Sequence, residues 1–459
     1  MCQSTPLGHT TVSLLENNMF WSKYNYEYLS PTSGRLLFNY LSGALLDLND
    51  DAFYNSVMKY KYGVSLAELP SKELEDYLIE NAIICLNDKE NEEILFYNNL
   101  IMRTQQVFKT LVIVPTLNCN LRCPYCYEGS NKSPISMDCT IVGAIEKYIA
   151  TNINPSNTKL LALLWYGGEP LLEYETICEL TRFVKNLEIP FYTDITTNGT
   201  LLTSRILSSF EDLNIKQIQL TFDGPRYEHD KKRFFSDQKG TFDLLWSKCE
   251  MLNSYAKKHN GFIVHVRINV DKGNQDSCAL LYLDIKKHFP FLQPYMAPLK
   301  QYHSCSGPVN CFSNDKEVLE YMLSLYQKYG VDVADYHSVI RGMQPCMAES
   351  EGSWIIGPNG ELYVCLNDVG DKNETAGNIL NGNLNLSLVS KYRNGRLTAF
   401  NESCKECKML WLCGGGCPNS QYRNFKYGEC NEVCSPLVDD LLLNRYLDVR
   451  YEIQKKGNL

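Results

Sequence analysis

Three cysteines in the segment CNLRCPYCYEG, Cys119, Cys123 and Cys126, have three and then two residues between them. Three thiolates on one tight loop can hold three corners of a four-iron cubane and leave the fourth iron open to a substrate or cofactor. Structural zinc takes four closed ligands, commonly from paired CxxC knuckles, and no neighbouring fourth ligand stands here. A second constellation lies downstream. Cys346 is followed after thirteen residues by Gly360 and after four more by Cys365, and then come Cys404, Cys407, Cys413 and Cys417, spaced by two, five and three residues. Cys430 and Cys434 close the series. CKEC with CGGGC would suit zinc if it stood alone.

Such loops need elements to hold them. From residue 111 onward, apolar β-branched runs alternate with helical stretches, the pattern of a parallel sheet with crossover helices. The expected strands are 111–119, 160–168, 190–199, 216–224, 262–270 and 291–299. Six βα units are too few for a complete eight-stranded barrel, so the fold class is α/β with a partial (β/α)6 TIM-like barrel, its site at the C-terminal strand ends. After about residue 340 the periodicity fades. A hairpin, SWIIGPNGELYVC with Asn359-Gly360 at its turn, precedes the cysteine cluster. Hydrophobic burial alone would hold that region poorly, which makes metal ligation its expected staple. Ahead of the barrel, short strands over 20–28, 35–41 and 44–48 precede helices, among them SKELEDYLIENAIICL with its acidic start. The expected domains are an N-terminal α+β module over 1–105, the barrel over 106–335, and a Cys-rich iron-sulfur domain with a C-terminal helix over 336–459.

A chain of 459 residues, 44% hydrophobic and 21% charged, describes a globular protein of two or three domains. The opening MCQSTPLGHTTVS lacks a basic start followed by an apolar stretch, and no run of about 18 apolar residues occurs, so a cytoplasmic protein without a membrane span is expected. The net charge of -9 argues against a nucleic-acid partner held through phosphates. Nineteen cysteines in a reducing compartment call for metal or thiol chemistry rather than disulfides. The scattered ones, Cys2, Cys85, Cys139, Cys178, Cys249 and Cys278, read as small core residues.

With its CxxxCxxC loop after the first barrel strand, the chain resembles the radical S-adenosylmethionine (SAM) superfamily, and residues 111–434 follow that family's layout. The resemblance implies that Cys119, Cys123 and Cys126 hold a 4Fe-4S cluster whose open iron chelates SAM. Gly167-Gly168-Glu169-Pro170 resembles the segment bordering the SAM amino group. Thr221 in TFDG resembles the contact to the ribose, Arg233 in HDKKR the arginine near the SAM carboxylate, and Tyr125 the aromatic residue near the adenine. Asn198 and Gly199 would belong to the same shell. The C-terminal cysteine spacing resembles the SPASM domain, which implies two auxiliary 4Fe-4S clusters. Cys346, Cys365 and Cys417 would hold the first. Cys404, Cys407, Cys413 and Cys434 would hold the second, with Cys430 the rival for the last place. No cysteine stands between Cys346 and Cys365, so the first auxiliary cluster is left with an open iron or takes Cys305 or Cys311.

Within the SPASM group the resemblance implies a peptide or protein maturase. Such an enzyme cleaves SAM reductively to a 5'-deoxyadenosyl radical and abstracts hydrogen from a peptide residue, giving a thioether or another oxidative modification. A low-potential donor such as flavodoxin or ferredoxin would supply electrons. The alternatives are an anaerobic sulfatase-maturating, formylglycine-forming enzyme and a non-catalytic iron-sulfur electron carrier. Sulfatase maturases resemble the core but place an aspartate directly after the cysteine of the Gly-x4-Cys segment, where this chain has Leu366, with Asp368 out of register. The N-terminal module resembles peptide-recognition domains.

Overall fold

The computed structural model describes residues 19–62, 71–105, 107–126, 134–300, 310–331, 345–394 and 402–457. The chain divides into two compact units, Met1–Tyr97 with Arg450–Leu459, and Asn98–Val449. Among the described residues no helix is long and apolar enough to cross a membrane.

In the first unit, β1 (Phe20–Trp21) is followed by a three-stranded antiparallel meander of β2 (Asn25–Ser30), β3 (Gly34–Asn39) and β4 (Leu45–Asp47). The helices Asp51–Tyr62 and Lys72–Glu80 and the short β5 (Ile84–Cys85) complete a core that includes Leu37, Leu46, Val57, Leu78 and Ile84. The strand expected over 20–28 is broken. The Asp88 carboxylate accepts the Ser22 hydroxyl at 2.6 Å and the Lys23 N–H at 2.8 Å, which turns the chain between β1 and β2. The helix expected through SKELEDYLIENAIICL starts as anticipated, capped by Ser71, but stops at Glu80. Ala82 takes a left-handed φ of 56°, and Ile83 and Ile84 turn inward, so the last residues become β5, paired antiparallel with β1. Five apolar residues in a row cannot all lie on one face of a helix.

The second unit is built on a sheet whose first six strands run parallel: β6 (Phe108–Ile113), β7 (Leu160–Trp165), β8 (Phe191–Thr196), β9 (Ile215–Phe222), β10 (Ile263–Val270) and β11 (Gln293–Pro298). All six expected strands are present, joined by helices, as a partial (β/α)6 barrel requires. Most end two or more residues earlier than the apolar runs suggest. The run 111–119, for example, leaves the sheet at Ile113, and its remainder forms the loop that carries Cys119. The anticipated hairpin is β12 (Ser353–Ile356) and β13 (Glu361–Tyr363), with Gly360 at a φ of 80° in the turn. It does not stand apart, because β12 adds parallel to β6 and β14 (Gly377–Asn378) extends the edge, making nine strands in one sheet.

The C-terminal region also has apolar packing of its own. Ala348, Val364, Ala376, Leu388, Tyr392 and Tyr422 form one buried cluster. Tyr363 and Val369 join Val112, Val114, Leu117 and Ile355 in another. Of the scattered cysteines, Cys85, Cys178, Cys249 and Cys278 are buried as expected, whereas Cys139 is exposed at the start of the helix Cys139–Asn152. Cys2 lies outside the described residues.

Candidate functional site

The loop after β6 is held mainly through its backbone. Thr116 donates its hydroxyl to the Ile135 carbonyl at 2.8 Å, while its own carbonyl accepts the Gly168 N–H at 3.1 Å. The Asn118 carbonyl takes the Glu169 N–H at 2.9 Å. This is why two glycines precede Glu169. Gly167 has a φ of 126°, and a Cβ on Gly168 would fall 2.2 Å from the Asn118 oxygen. The close approach that the glycines permit is to the cysteine loop itself. Within that loop the Cys119 sulfur faces the Leu121 N–H at 3.4 Å and the Asn198 side-chain amide at 3.7 Å. Such donors orient the sulfur lone pairs. Cys119 is buried, and Cys123 and Cys126 are half-exposed.

Glu169 is fully buried and accepts three hydrogen bonds, from Leu171 N–H at 3.0 Å, the Thr197 hydroxyl at 2.7 Å and Asn198 N–H at 2.7 Å. Burial raises its pKa, and these donors together with Arg233 oppose the rise. The carboxylate therefore ties the β7 loop to the β8 loop. Asn198 continues the connection, donating to the Asn120 side-chain oxygen at 2.8 Å. Thr221 is buried near the C-terminal end of β9.

Tyr125 is the hub on the opposite side of the loop. Its buried hydroxyl donates to Asp223 Oδ2 at 2.5 Å and accepts from Arg233 Nη1 at 3.1 Å and Asn269 Nδ2 at 3.2 Å. Burial, and then the Asp223 charge, push the phenol well up, so it stays protonated. Arg233 lies 3.6 Å from Asp223 Oδ2, and Asp223 Oδ1 is buried without a hydrogen-bond partner among the described residues. Burial holds His229 neutral. Its Nδ1 accepts the Asp223 N–H at 3.3 Å, its Nε2 meets the Thr241 hydroxyl at 3.0 Å, and that hydroxyl donates to the Arg233 carbonyl at 2.9 Å. Asp223, Asn269 and His229 were not singled out from the sequence. Asp223 and Asn269 are polar residues at the ends of apolar strands, a signal that could have found them.

In the C-terminal region, Cys404, Cys407, Cys413 and Cys434 line one cavity of about 620 Å³. The residues lining it do not include Cys430, and both Cys430 and Cys434 are exposed at the surface. Burial raises the Cys434 thiol, and Cys413 and Cys407 add to the rise. CGGGC explains the approach: Gly414, Gly415 and Gly416 all have positive φ, and a Cβ on Gly416 would lie 2.1 Å from the Val433 carbonyl oxygen. Cys346, Cys365 and Cys417 form the other group. Burial pushes the Cys365 thiol well up, and Asp368, Cys417 and Cys346 contribute further. Among the described residues no three side chains of His, Cys, Asp or Glu are gathered as around a single ion. Thiols lining a cavity fit a multi-iron cluster better than one zinc ion. Cys305 lies outside the described residues, and Cys311 is half-exposed between β11 and the helix Asp315–Tyr329. Asp368 is buried, accepting from the Tyr392 hydroxyl at 2.5 Å and the Asn419 amide at 3.1 Å.

Residues 113–279 match the family model of the radical SAM superfamily. The chain is 26% identical over 346 residues to a cysteine-type anaerobic sulfatase-maturating enzyme of Clostridium novyi, an alignment covering 69% of this chain and 89% of that one. It is 25% identical over 392 residues to the radical SAM cyclopropyl synthase TigE of Paramaledivibacter caminithermalis, covering 77% and 78%. Among solved structures, native anSMEcpe with bound AdoMet and a peptide superposes with a TM-score of 0.56 at 20% identity, covering 77% of this chain and 100% of that one.

Proposed function

We propose, from the premise that the chain carries a radical SAM domain and is homologous to anaerobic sulfatase-maturating enzymes, that it is a peptide or protein maturase holding SAM and three 4Fe-4S clusters. Cys119, Cys123 and Cys126 would hold the SAM-binding cluster, and Tyr125, Gly167, Gly168, Glu169, Asn198, Thr221 and Arg233 its surroundings. Cys346, Cys365 and Cys417 would hold one auxiliary cluster, and Cys404, Cys407, Cys413 and Cys434 the other. The cluster and SAM, held there, would supply the radical chemistry for taking hydrogen from a peptide residue. The chain's own part is orientation. Glu169 and Asn198 fix the cysteine loop from one side and the Tyr125 hub from the other, before any ligand arrives.

The observation that favours peptide modification over sulfatase maturation lies beside Cys365. Leu366 packs against the apolar cluster of Val112, Ile355 and Tyr363. Asp368, the nearest carboxylate in sequence, is turned to Tyr392 and Asn419. The relatives support the broader class, since one is named for sulfatase maturation and the other for cyclopropyl synthesis. Residues 1–105 would serve as the peptide-recognition module. In its meander β2 and β4 are the two edges, where an extended leader can add as a strand.

The test is anaerobic reconstitution with iron, sulfide and a low-potential reductant, followed by measurement of 5'-deoxyadenosine and of mass changes in short peptides encoded beside the gene. 5'-Deoxyadenosine with a two-hydrogen mass loss in one peptide is the expected outcome. Absence of 5'-deoxyadenosine would leave an electron carrier. Conversion of a sulfatase-derived peptide to formylglycine would move the chain to the alternative.

A further inference from the structure

The face of the large sheet that carries Val112 and Leu164 has two unlike halves. On β12, β6 and β7 it presents Ile355, Val112 and Leu164 in register, and Tyr363, Val369 and Leu366 pack over them. On β8 to β11 the same face presents Asp194, Gln217, Gln219, His265, Arg267 and Tyr295. The register runs from Leu164 to Asp194, Asp194 to Gln217, Gln219 to His265 and Arg267 to Tyr295. All six are only half-buried. Their neighbours on the same strands that point the other way, such as Ile195, Ile218, Leu220 and Val266, are buried beneath the helices. A barrel that simply packed its interior would fill this space with Val, Ile and Leu. A polar wall left open is a surface kept for a ligand.

Two hydrogen bonds already engage polar groups of this wall. The Tyr295 hydroxyl donates to the Gln219 side-chain oxygen at 2.7 Å, and Arg267 Nε donates to Asn269 Oδ1 at 2.8 Å. Burial lowers the His265 pKa, which keeps the ring neutral. Asp194 differs from the other five in holding a buried polar atom that is unsatisfied. Its Oδ1 is buried and has no hydrogen-bond partner among the described residues. The side chains beside it are the Tyr192 phenol on its own strand, Leu164 on β7 and Gln217 on β9. Burial alone pushes its carboxyl up to about 6, with no cation beside it to offset the desolvation. Among these six residues the buried unmet demand is therefore an acceptor of negative character.

We infer that Asp194 is a substrate-binding residue, receiving the cationic side chain of a lysine or arginine of the peptide against the polar wall of β8 to β11. The inference rests on the peptide-maturase reading above. Buried charge is stable when paired, and a lysine or arginine supplies both the charge and the N–H donors that Oδ1 lacks.

The probe is a set of three blocked pentapeptides, four glycines around a central lysine, arginine or norleucine, titrated by calorimetry into the reconstituted holoenzyme at pH 8. The lysine and arginine peptides should bind at least tenfold more tightly than the norleucine peptide. In D194N that preference should fall to within twofold, and in D194N/Q217E, which returns a carboxylate to the same face one strand over, part of it should reappear. Equal binding of the norleucine and lysine peptides to the unaltered protein overturns the proposal, as does an undiminished preference in D194N. The first comparison decides alone if a variant does not fold. Peptide-free production of 5'-deoxyadenosine by the unaltered protein, measured in parallel, separates failure of this site from failure of the radical SAM reading.

Discussion

The two cysteine regions reach their geometry by different means. At the barrel mouth, strand ends, glycines and a buried network hold Cys119 to Cys126 in place. Glu169 collects three donors, Tyr125 meets three partners, and Asn198 bridges two loops. In the C-terminal region, short helices and the CGGGC turn bring four thiols around a cavity of about 620 Å³ that no protein side chain fills. A site preorganised by hydrogen bonds keeps its shape when empty, whereas a site arranged around a cavity depends on what fills it. The first arrangement suits an iron that must exchange ligands, and the second suits a permanent structural cluster.

The largest effect that separates them is on chemistry. Replacing Cys119, Cys123 and Cys126 together with Ala should abolish 5'-deoxyadenosine formation while lowering bound iron by only about a third, as three cubanes of equal iron content require. Iron and sulfide analysis of the anaerobic variant, beside chromatography of the nucleoside, checks both numbers. Persisting SAM cleavage would remove the functional distinction between the regions.

Chelation is the next largest. Stripping iron from the holoprotein should expose residues 402–434 to limited proteolysis within minutes while the strands between 108 and 298 remain protected, because the C-terminal thiols surround a cavity that bound metal would fill, whereas the strands are held by a buried apolar core. Mass spectrometry of the first fragments reads the outcome. Equal susceptibility of both regions would break the contrast.

A sharper cut falls between two late cysteines. Cys434 shares the cavity with Cys404, Cys407 and Cys413, while Cys430 is outside it, although both late cysteines are exposed. C434S should lose the cluster absorbance of that site and lower the melting temperature, and C430S should change neither. The opposite pattern would reassign the ligand.

The sequence carried the strands and the cysteine spacings because both are local signals. Apolar runs mark β6 to β11, and intervals of three and two mark the first loop. The choice between Cys430 and Cys434 was not local. It depends on Gly416 meeting the Val433 carbonyl, a contact visible only once the chain is folded. The parallel pairing of β12 with β6 joins Ser353 to Thr110 across more than two hundred residues, and a hairpin signal says nothing about which sheet the hairpin will join. Asp223 and Asn269 stood at strand ends, but their meeting on the Tyr125 hydroxyl requires the cysteine loop, the residue after β9 and the end of β10 to converge. The helix beyond Glu80 was overextended because a left-handed alanine at residue 82 leaves no compositional trace.

Removing the Tyr125 hydroxyl tests the preorganised side. Y125F leaves the ring but strips three partners of their shared atom, and orphaned buried donors and acceptors cost about 1–3 kcal/mol. The expected result is a stability loss of that order by denaturant titration, with iron content retained and the electron paramagnetic resonance signal of the SAM-bound cluster broadened. An unchanged signal would mean that the hub supports the fold without positioning the loop.

The smallest effect concerns the buried carboxylate of each region. Glu169 is raised by burial but answered by three donors and the Arg233 charge. Asp368 has the Tyr392 hydroxyl, the Asn419 amide and the Arg423 charge against its burial and the nearby Glu374, and it is still pushed up to about 7. A carboxyl whose pKa is higher in the folded state binds its proton there over a range where the unfolded chain has released it. Folding is then favoured most at low pH, and that advantage is lost as pH rises from the ordinary aspartate value of about 4 through about 7. D368N has no proton to lose, so its stability relative to the unaltered protein should rise between pH 5 and pH 7.5 and level off above. Denaturant midpoints of the two holoproteins, taken across that range, measure the difference. A flat difference would mean that Asp368 is already ionised in the folded protein, and that the C-terminal region satisfies its buried charge as fully as the barrel mouth does.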